Sequence, residues 1–457
     1  LQQADTVGLF QVESRAQMAT LPRLRPERFY DLVVQIAIIR PGPIVGQMVH
    51  PYLARRAGRQ PVAYPHPSLE PILRRTLGVP LFQEQLLRMG MVAAGLTGGE
   101  AEELRRAFGF RRSAARMRAI EAKLRAGIAR NGITGAAAEE IVRAITAFAE
   151  YGFPESHAAS FALLAYASAY LKVHRPAEFY AALLNNQPMG FYHPATVVRD
   201  ALRRGQAVRP VDVSFSEWRS RVEAGAVRLG LMMVKGLREA AARRLVAARA
   251  ARPFASVADL CARADLGRDE AETLAEIGAL GSLGLRRRAA LWQAAAAVRS
   301  PGPLFAGRAA VEPGSPLDQM TTAERLVADY RGTGVTVGPH PMALSRRAWA
   351  RLGVTPAAGL AALPTGRRVR VAGAVVVRQR PGTAKGFVFL SLEDETGIAN
   401  AIVHPALFAR VRAAVVHEPF VLVDGVLQHE DGVVAVRATA VRALPAGPAA
   451  IPAHDFH

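Results

Sequence analysis

At 457 residues, half of them hydrophobic, the chain has material for several cores and the length of two to four domains. Its formal net charge is +20 although only 21% of its residues are charged, which points to a polyanionic partner, nucleic acid first. The single cysteine, Cys261, excludes an internal disulfide and a multi-cysteine zinc site, and no apolar run reaches the roughly 20 residues of a membrane span, so a cytoplasmic protein with no membrane partner is expected.

From Leu1 to about Pro188 the pattern is mostly helical. AEELRRAFGF, MRAIEAKLRAGIARNG and GAAAEEIVRAITAFAEYG repeat apolar residues every three or four positions, and Gly132 and Gly152 stand where helix C-caps belong. The opening on Leu1 inside an apparently packed segment suggests the C-terminal part of a longer protein, and PAHDFH reads as its natural end. A mixed stretch follows to about Val227, with Pro210 and Val211-Asp212 turning into short strands. Between Leu229 and Arg299 short helices alternate with tight turns, the pattern of paired helix-hairpin-helix units. Ser300 to Pro316 is rich in Pro and Gly and reads as a linker. After Pro364 the period becomes two. Five strands, with the helix PALFARVRAAV before the fourth, match an OB-fold barrel. The expected fold class is therefore multidomain, mainly α and followed by a β-barrel OB-fold.

The chemistry-bearing segments begin with a basic stretch. Between Leu104 and Arg130 stand Arg105, Arg106, Arg111, Arg112, Arg116, Arg118, Lys123, Arg125 and Arg130 against one acid, Glu121. On one continuous helix Arg105, Arg112 and Arg116 fall within about 40° of each other, aimed at one anion, unless Gly109 interrupts it. Only four lysines accompany 54 arginines, and arginine is the better fork for phosphate, although a GC-rich coding bias also turns surface Lys into Arg. In YGFPESH, Ser156 can donate to phosphate and His157 can assist a leaving pyrophosphate; Pro154 and Ser156 equally suit a helix start. Arg40 precedes a rigid Pro-Gly-Pro turn. In LFQEQ, Glu84 reads as a helix N-terminal acid or a hydrogen-bonding residue without a catalytic role. LEDETG, with Glu393, Asp394 and Glu395, reads as a strand end and turn. No Asp-x-Asp pair occurs, and no two histidines have metal-site spacing.

DTVGLFQVESRAQM, RPGP, LFQEQ, ELRRAFGFRRS and YGFPESHAASFALL, in this order, resemble the α subunit family of bacterial DNA polymerase III over nearly the whole chain. Pro154-Glu155, where replicative members usually carry Asn-Lys, and the DFH ending directly after the OB-like domain resemble its error-prone branch. The resemblance implies a DNA-directed DNA polymerase of translesion synthesis. It makes residues 1–30 the tail of the palm, 31–228 the fingers, 229–299 the tandem helix-hairpin-helix, 300–365 a linker and connecting segment, 366–445 the OB domain and 446–457 a tail. The palm aspartates, and with them Mg²⁺, would lie upstream of Leu1.

By the same resemblance Arg105, Arg106, Ser156, His157 and Arg40 would face the dNTP triphosphate, and closure of the fingers would assemble that site. Arg111, Arg112, Arg116, Lys235, Gly236 and Arg238 would contact primer-template DNA. Two departures stand out. Arg238 occupies the place of the second glycine of a phosphate-binding hairpin, so phosphate contact falls to Arg238 itself. Glu155 replaces a lysine, which would loosen geometric selection of the nucleotide. PGPLF (301–305) is a poor sliding-clamp peptide, so the clamp would be reached through companion mutagenesis proteins. Single-stranded DNA is expected at the OB domain, where Phe387, Phe389 and Phe420 are either base-stacking platforms or barrel core. Two alternatives remain: a non-enzymatic DNA-binding protein on a polymerase scaffold, and the replicative α subunit.

Overall fold

The computed structural model describes residues 1–39, 45–109, 114–149, 153–297, 314–444 and 454–456. It divides into two compact units, Leu1–Ala169 with Asp431–Val433, and Tyr170–Glu430 with Val434–His457.

The first unit is helical: α1 (Arg15–Leu24), α2 (Phe29–Ile38), α3 (Val45–Arg56), α4 (Glu70–Leu73), α5 (Gln83–Ala94), α6 (Gly98–Gly109), α7 (Ala114–Arg130), α8 (Gly135–Ala149) and most of α9 (Glu155–His174). The DTVGLFQVES segment is a loop folded on itself: Thr6 Oγ1 donates to Val12 O at 2.8 Å, Gly8 N donates to Glu13 Oε2 at 2.8 Å, and Val7, Leu9 and Val12 are buried. Ser14 then caps α1. Helix α5 packs against α6, α7 and α8, with Met89 and Ala93 of α5 and Leu124 and Ile128 of α7 buried. The α5–α7 approach depends on Gly127, where a Cβ would lie 2.1 Å from Ala94 O. Gly132, at φ +74°, closes α7 as the sequence predicts, while Gly152 lies outside the described residues.

In the second unit α10 (Pro176–Asn185) and α11 (Pro194–Arg203) precede a small sheet of β1 (Val208–Arg209), β2 (Arg221–Glu223) and β3 (Ala226–Arg228), ordered β1-β3-β2. The hairpin helices are α12 (Glu239–Ala251), α13 (Val257–Ala264), α14 (Arg268–Glu276) and α15 (Arg287–Ala297). After them come α16 (Thr322–Thr333), α17 (Pro341–Leu344) and α18 (Arg346–Arg351).

The barrel follows: β4 (Arg368–Gln379), β5 (Val388–Glu393), β6 (Ile398–Val403), α19 (Pro405–His417), β7 (Phe420–Glu430) and β8 (Val433–Ala443). The strands run β5-β6-β8-β7-β4, and a β4–β5 pairing closes the ring. A bulge between Val375 and Val377 lets β4 pair first with β7 and then with β5. Gly373 permits that turn, since a Cβ there would come within 2.7 Å of Glu393 O. Val371, Val375, Leu390, Val403, Val423 and Val436 fill the interior. This is the expected five-stranded OB-fold with its helix before the fourth strand. One element was not expected: β9 (His454–Phe456), in the segment read as a tail, pairs parallel to Val377–Gln379 of β4.

Candidate nucleic-acid interface

In the first unit LFQEQ and the start of α9 are one piece of structure. Gln83 N donates to Phe153 O at 3.1 Å, and Glu155 N donates to Glu84 Oε2 at 2.9 Å. Buried Gln85 accepts from Leu81 N and Phe82 N and donates to Ile72 O and Thr76 Oγ1. Glu84 is thus an N-terminal acid of α5 that caps α9. The Ser156 hydroxyl does not cap it; Ser156 lies inside the first turn and is exposed. His157 is exposed beside it, with ring centroids 5.1 Å from Phe153 and 4.1 Å from Phe161, and Phe161 meets Phe10 edge-on at 5.2 Å. This row of rings was not foreseen, although Phe153, His157 and Phe161 recur every four positions.

Glu155 is not a free charge. Its Oε1 accepts from Tyr30 Oη at 2.9 Å and lies 3.6 Å from Arg75, whose guanidinium covers the Tyr30 ring at 3.7 Å. Burial first, and the Glu155 carboxylate second, push the Tyr30 phenol above its ordinary range.

The described parts of the basic stretch lie on α6 and α7, and residues 110–113, across which the phase argument aligns Arg105 with Arg112 and Arg116, lie outside the described residues. Arg106 is exposed and pairs with Glu102 at 3.2 Å. Lys123 pairs with Glu100, and Arg125 with Glu121 and Glu139, so acids of neighbouring helices offset part of the excess. Arg40, Arg111 and Arg112 lie outside the described residues, as do the side chains of Arg105 and Arg116.

In the second unit Gly236 adopts φ +81° with open space where a Cβ would be. Lys235 donates from its backbone nitrogen to Gly332 O at 2.7 Å and from Nζ to Tyr330 O at 3.2 Å, tying the hairpin to the C-terminal turn of α16. Arg238 is the N-cap residue of α12, and its Nε and Nη2 reach Glu270 at 2.9 and 3.1 Å. Glu270 also accepts from Arg238 N and Gly267 N, joining the starts of α12 and α14. The Arg238 side chain holds the Glu270 carboxyl down at about 2.

On the barrel, Phe420 is buried at 2% exposure and belongs to the interior. Phe389 alternates with buried Val388 and Leu390 and is half-exposed, and Phe387 meets His404 edge-on at 5.1 Å. LEDETG is the expected turn. Asp394 Oδ1 accepts from Thr396 N and Gly397 N, Arg346 binds Asp394 and Glu395, and fully buried Glu393 accepts from Arg203 at 2.7 Å. Among the described residues no three His, Cys, Asp or Glu side chains converge, so they do not fit a divalent cation. No helix among them is long and apolar enough to cross a membrane.

Residues 1–132 match the family model "Bacterial DNA polymerase III alpha subunit finger domain", residues 205–290 a helix-hairpin-helix motif and residues 369–444 an OB-fold nucleic acid binding domain. The whole chain is 52% identical to an error-prone DNA polymerase of Anaeromyxobacter dehalogenans strain 2CP-C, covering 42% of it. Over 95% of the chain it is 48% identical to an error-prone DNA polymerase of Methylococcus capsulatus, covering 44% of that protein. The match to error-prone DNA polymerase 2 of Agrobacterium fabrum is also 48%, over 95% of this chain and 42% of the relative. The chain thus spans about two fifths of the curated relatives it matches.

Proposed function

This chain belongs to the error-prone branch of the bacterial DNA polymerase III α-subunit family, and we propose on that premise that the whole protein is a DNA-directed DNA polymerase of damage-induced translesion synthesis. It transfers a nucleotide from a dNTP to the primer 3′-hydroxyl. The observation that carries this reading is the 52% identity to an error-prone polymerase along the entire chain.

Residues 1–30 close the palm, 31–228 form the fingers, 229–299 grip duplex DNA and 366–445 take single-stranded DNA. Arg40, Arg105, Arg106, Ser156 and His157 contact the triphosphate. There the arginines offset charge developing on the phosphates, and His157, held by Phe153 and Phe161, presents its ring beside Ser156. Arg111, Arg112 and Arg116 hold the template backbone. Gly236 offers its open backbone to a phosphate, and Lys235 and Arg238, set in place by Tyr330 and Glu270, contact the DNA backbone beside it. Carboxylates of the full-length protein beyond this chain would hold Mg²⁺, which would supply activation of the 3′-hydroxyl and charge neutralisation of the leaving pyrophosphate. The sliding clamp is reached through companion proteins, since PGPLF lacks a leading Gln.

Primer extension by the full-length protein on undamaged and abasic templates tests this, with the present chain as control. Extension past the lesion by the full-length protein and DNA binding without extension by the chain are expected. No extension by the full-length protein with any divalent cation would leave a DNA-binding protein on a polymerase scaffold.

A further inference from the structure

The outer face of β4, β7 and β8 carries a second feature of the barrel. Arg368 and Arg370 project from β4, opposite Val426 and Asp424 of β7 in the strand register. With Leu352 and Gly353, which follow α18, these residues line a groove of about 580 Å³. Its one carboxylate is already neutralised. Asp424 accepts from Arg370 Nε at 2.6 Å and from Arg442 of β8. Partial burial pushes this carboxyl up, but the two guanidiniums outweigh it and hold the group below the ordinary range. Arg370 is fixed further by donating to Leu352 O at 2.7 Å. Arg368 is exposed and has no partner among the described residues.

Two lining guanidiniums against one carboxylate, which Arg442 also binds from outside the lining, leave a net positive groove, and half-exposed Val426 and exposed Leu352 give it an apolar lining. Cationic forks over apolar surface suit a phosphodiester chain whose sugars rest on the lining. Two positions apart on one strand, Arg368 and Arg370 are about 6.7 Å from each other along β4, a spacing that suits successive phosphates of an extended strand.

The geometry points to this groove as the track for the phosphate backbone of single-stranded DNA, so that the strand crosses β4, β7 and β8 and not the aromatic side of β5 and β6. This rests on reading the chain as the DNA-gripping part of a polymerase. The test is fluorescence anisotropy of a labelled oligothymidylate and of a labelled hairpin duplex with the whole chain, titrated across salt.

Arg368→Glu is expected to weaken oligothymidylate binding about tenfold and to reduce the salt slope by about 0.7, the loss of one phosphate contact. Arg368→Lys keeps most of the affinity, Phe389→Ala changes it less than about twofold, and duplex binding stays as it was. Unchanged affinity and slope in Arg368→Glu, with a large loss in Phe389→Ala, would overturn the proposal. So would wild-type binding of the duplex without the oligothymidylate, which leaves the polymerase reading standing. Binding of neither probe would remove the polymerase reading as well.

Discussion

The carboxylate of Glu84 accepts a hydrogen bond from the backbone nitrogen of Glu155 at 2.9 Å, across 71 positions of sequence. The first N–H groups of a helix have no intrahelical acceptor, and a negative side chain there also meets the positive end of the helix dipole. Glu84→Ala removes that acceptor while Gln83 still holds Phe153 O. The expected cost is about 1 kcal/mol, with Glu84→Gln recovering most of it. The loss should show as faster amide hydrogen exchange at the start of α9.

The anchoring of Glu155 by Tyr30 and Arg75 bears on nucleotide selection. If the charge at this position sets fidelity, Glu155→Lys in the full-length polymerase lowers misincorporation, and Glu155→Gln, which removes the charge but keeps an acceptor for Tyr30, lowers it part of the way. If the anchor sets it, Tyr30→Phe moves misincorporation and Glu155→Gln does not. The expected outcome is the first, read by single-nucleotide insertion of right and wrong dNTPs. Equal rates in Glu155→Lys and wild type would sink the charge idea.

Much of the fold was legible because it is written locally. The period-two run through Arg368 to Ala443 was legible as the barrel strands, but it left open whether Phe389, half-exposed between buried Val388 and Leu390, faced the core. The three- and four-residue spacing of α8 gave a helix. Pairings between distant side chains were not legible. Glu84 with Glu155, Arg238 with Glu270 and Lys172 with Asp200 leave no periodic trace, because each partner is chosen by tertiary packing. The partial offset of the charge between Leu104 and Arg130 was not legible for the same reason, since Glu100 and Glu139, which pair with Lys123 and Arg125, lie on α6 and α8. The strand β9 is three residues long and too short to carry a pattern.

Gly127 offers a packing test. Gly to Ala in a helix interior ordinarily gains about 1 kcal/mol from propensity. Here the new methyl would meet Ala94 O at 2.1 Å, backbone that cannot swing aside. Gly127→Ala is therefore expected to destabilise the first unit by roughly 1–3 kcal/mol, the usual cost of overpacking. Thermal unfolding followed by far-UV circular dichroism should show the helical first unit melting earlier; a higher melting temperature would mean that α5 and α7 separate freely.

Glu270 sets an acid limb for the second unit. Its carboxyl sits at about 2 in the folded chain against an ordinary 4.5, because Arg238 and two backbone N–H groups favour the charged form. A depressed carboxylate contributes stability fully above its unfolded value and loses it as pH falls through the folded one. The contribution of Glu270 should therefore be present at neutral pH and fade between about 4.5 and 2. Allowing for the solvent around Arg238, it is on the order of 2 kcal/mol. Glu270→Gln is expected to be less stable than wild type at pH 7 by that amount, with the difference closing toward pH 2 in tryptophan-monitored urea unfolding. A difference that does not vary with pH would mean that Arg238 gains nothing from the charge.

The Lys172 ammonium, 2% exposed, lies 2.7 Å from Asp200, and Tyr180 Oη donates to the same carboxylate at 2.6 Å. Burial, and then the neighbouring carboxylate, push the Tyr180 phenol well above its ordinary range, so it stays a donor at any working pH. Removing one partner of such a cluster leaves the other charge buried without compensation, which costs about 3–5 kcal/mol. Asp200→Ala should therefore destabilise the second unit by that amount. Replacing the group together, as Lys172→Met, Asp200→Leu and Tyr180→Phe, removes both charges and the hydroxyl; Arg204, 3.6 Å from Asp200 and 30% exposed, can return to water. This triple variant is expected to recover to within about 1–2 kcal/mol of wild type, because a well-packed apolar cluster of similar volume needs no desolvated charge. Urea unfolding of the single and triple variants, followed by tryptophan fluorescence, decides it. A triple variant no more stable than Asp200→Ala would mean that the ion pair itself, and not the avoidance of an orphaned charge, holds α9 to α11.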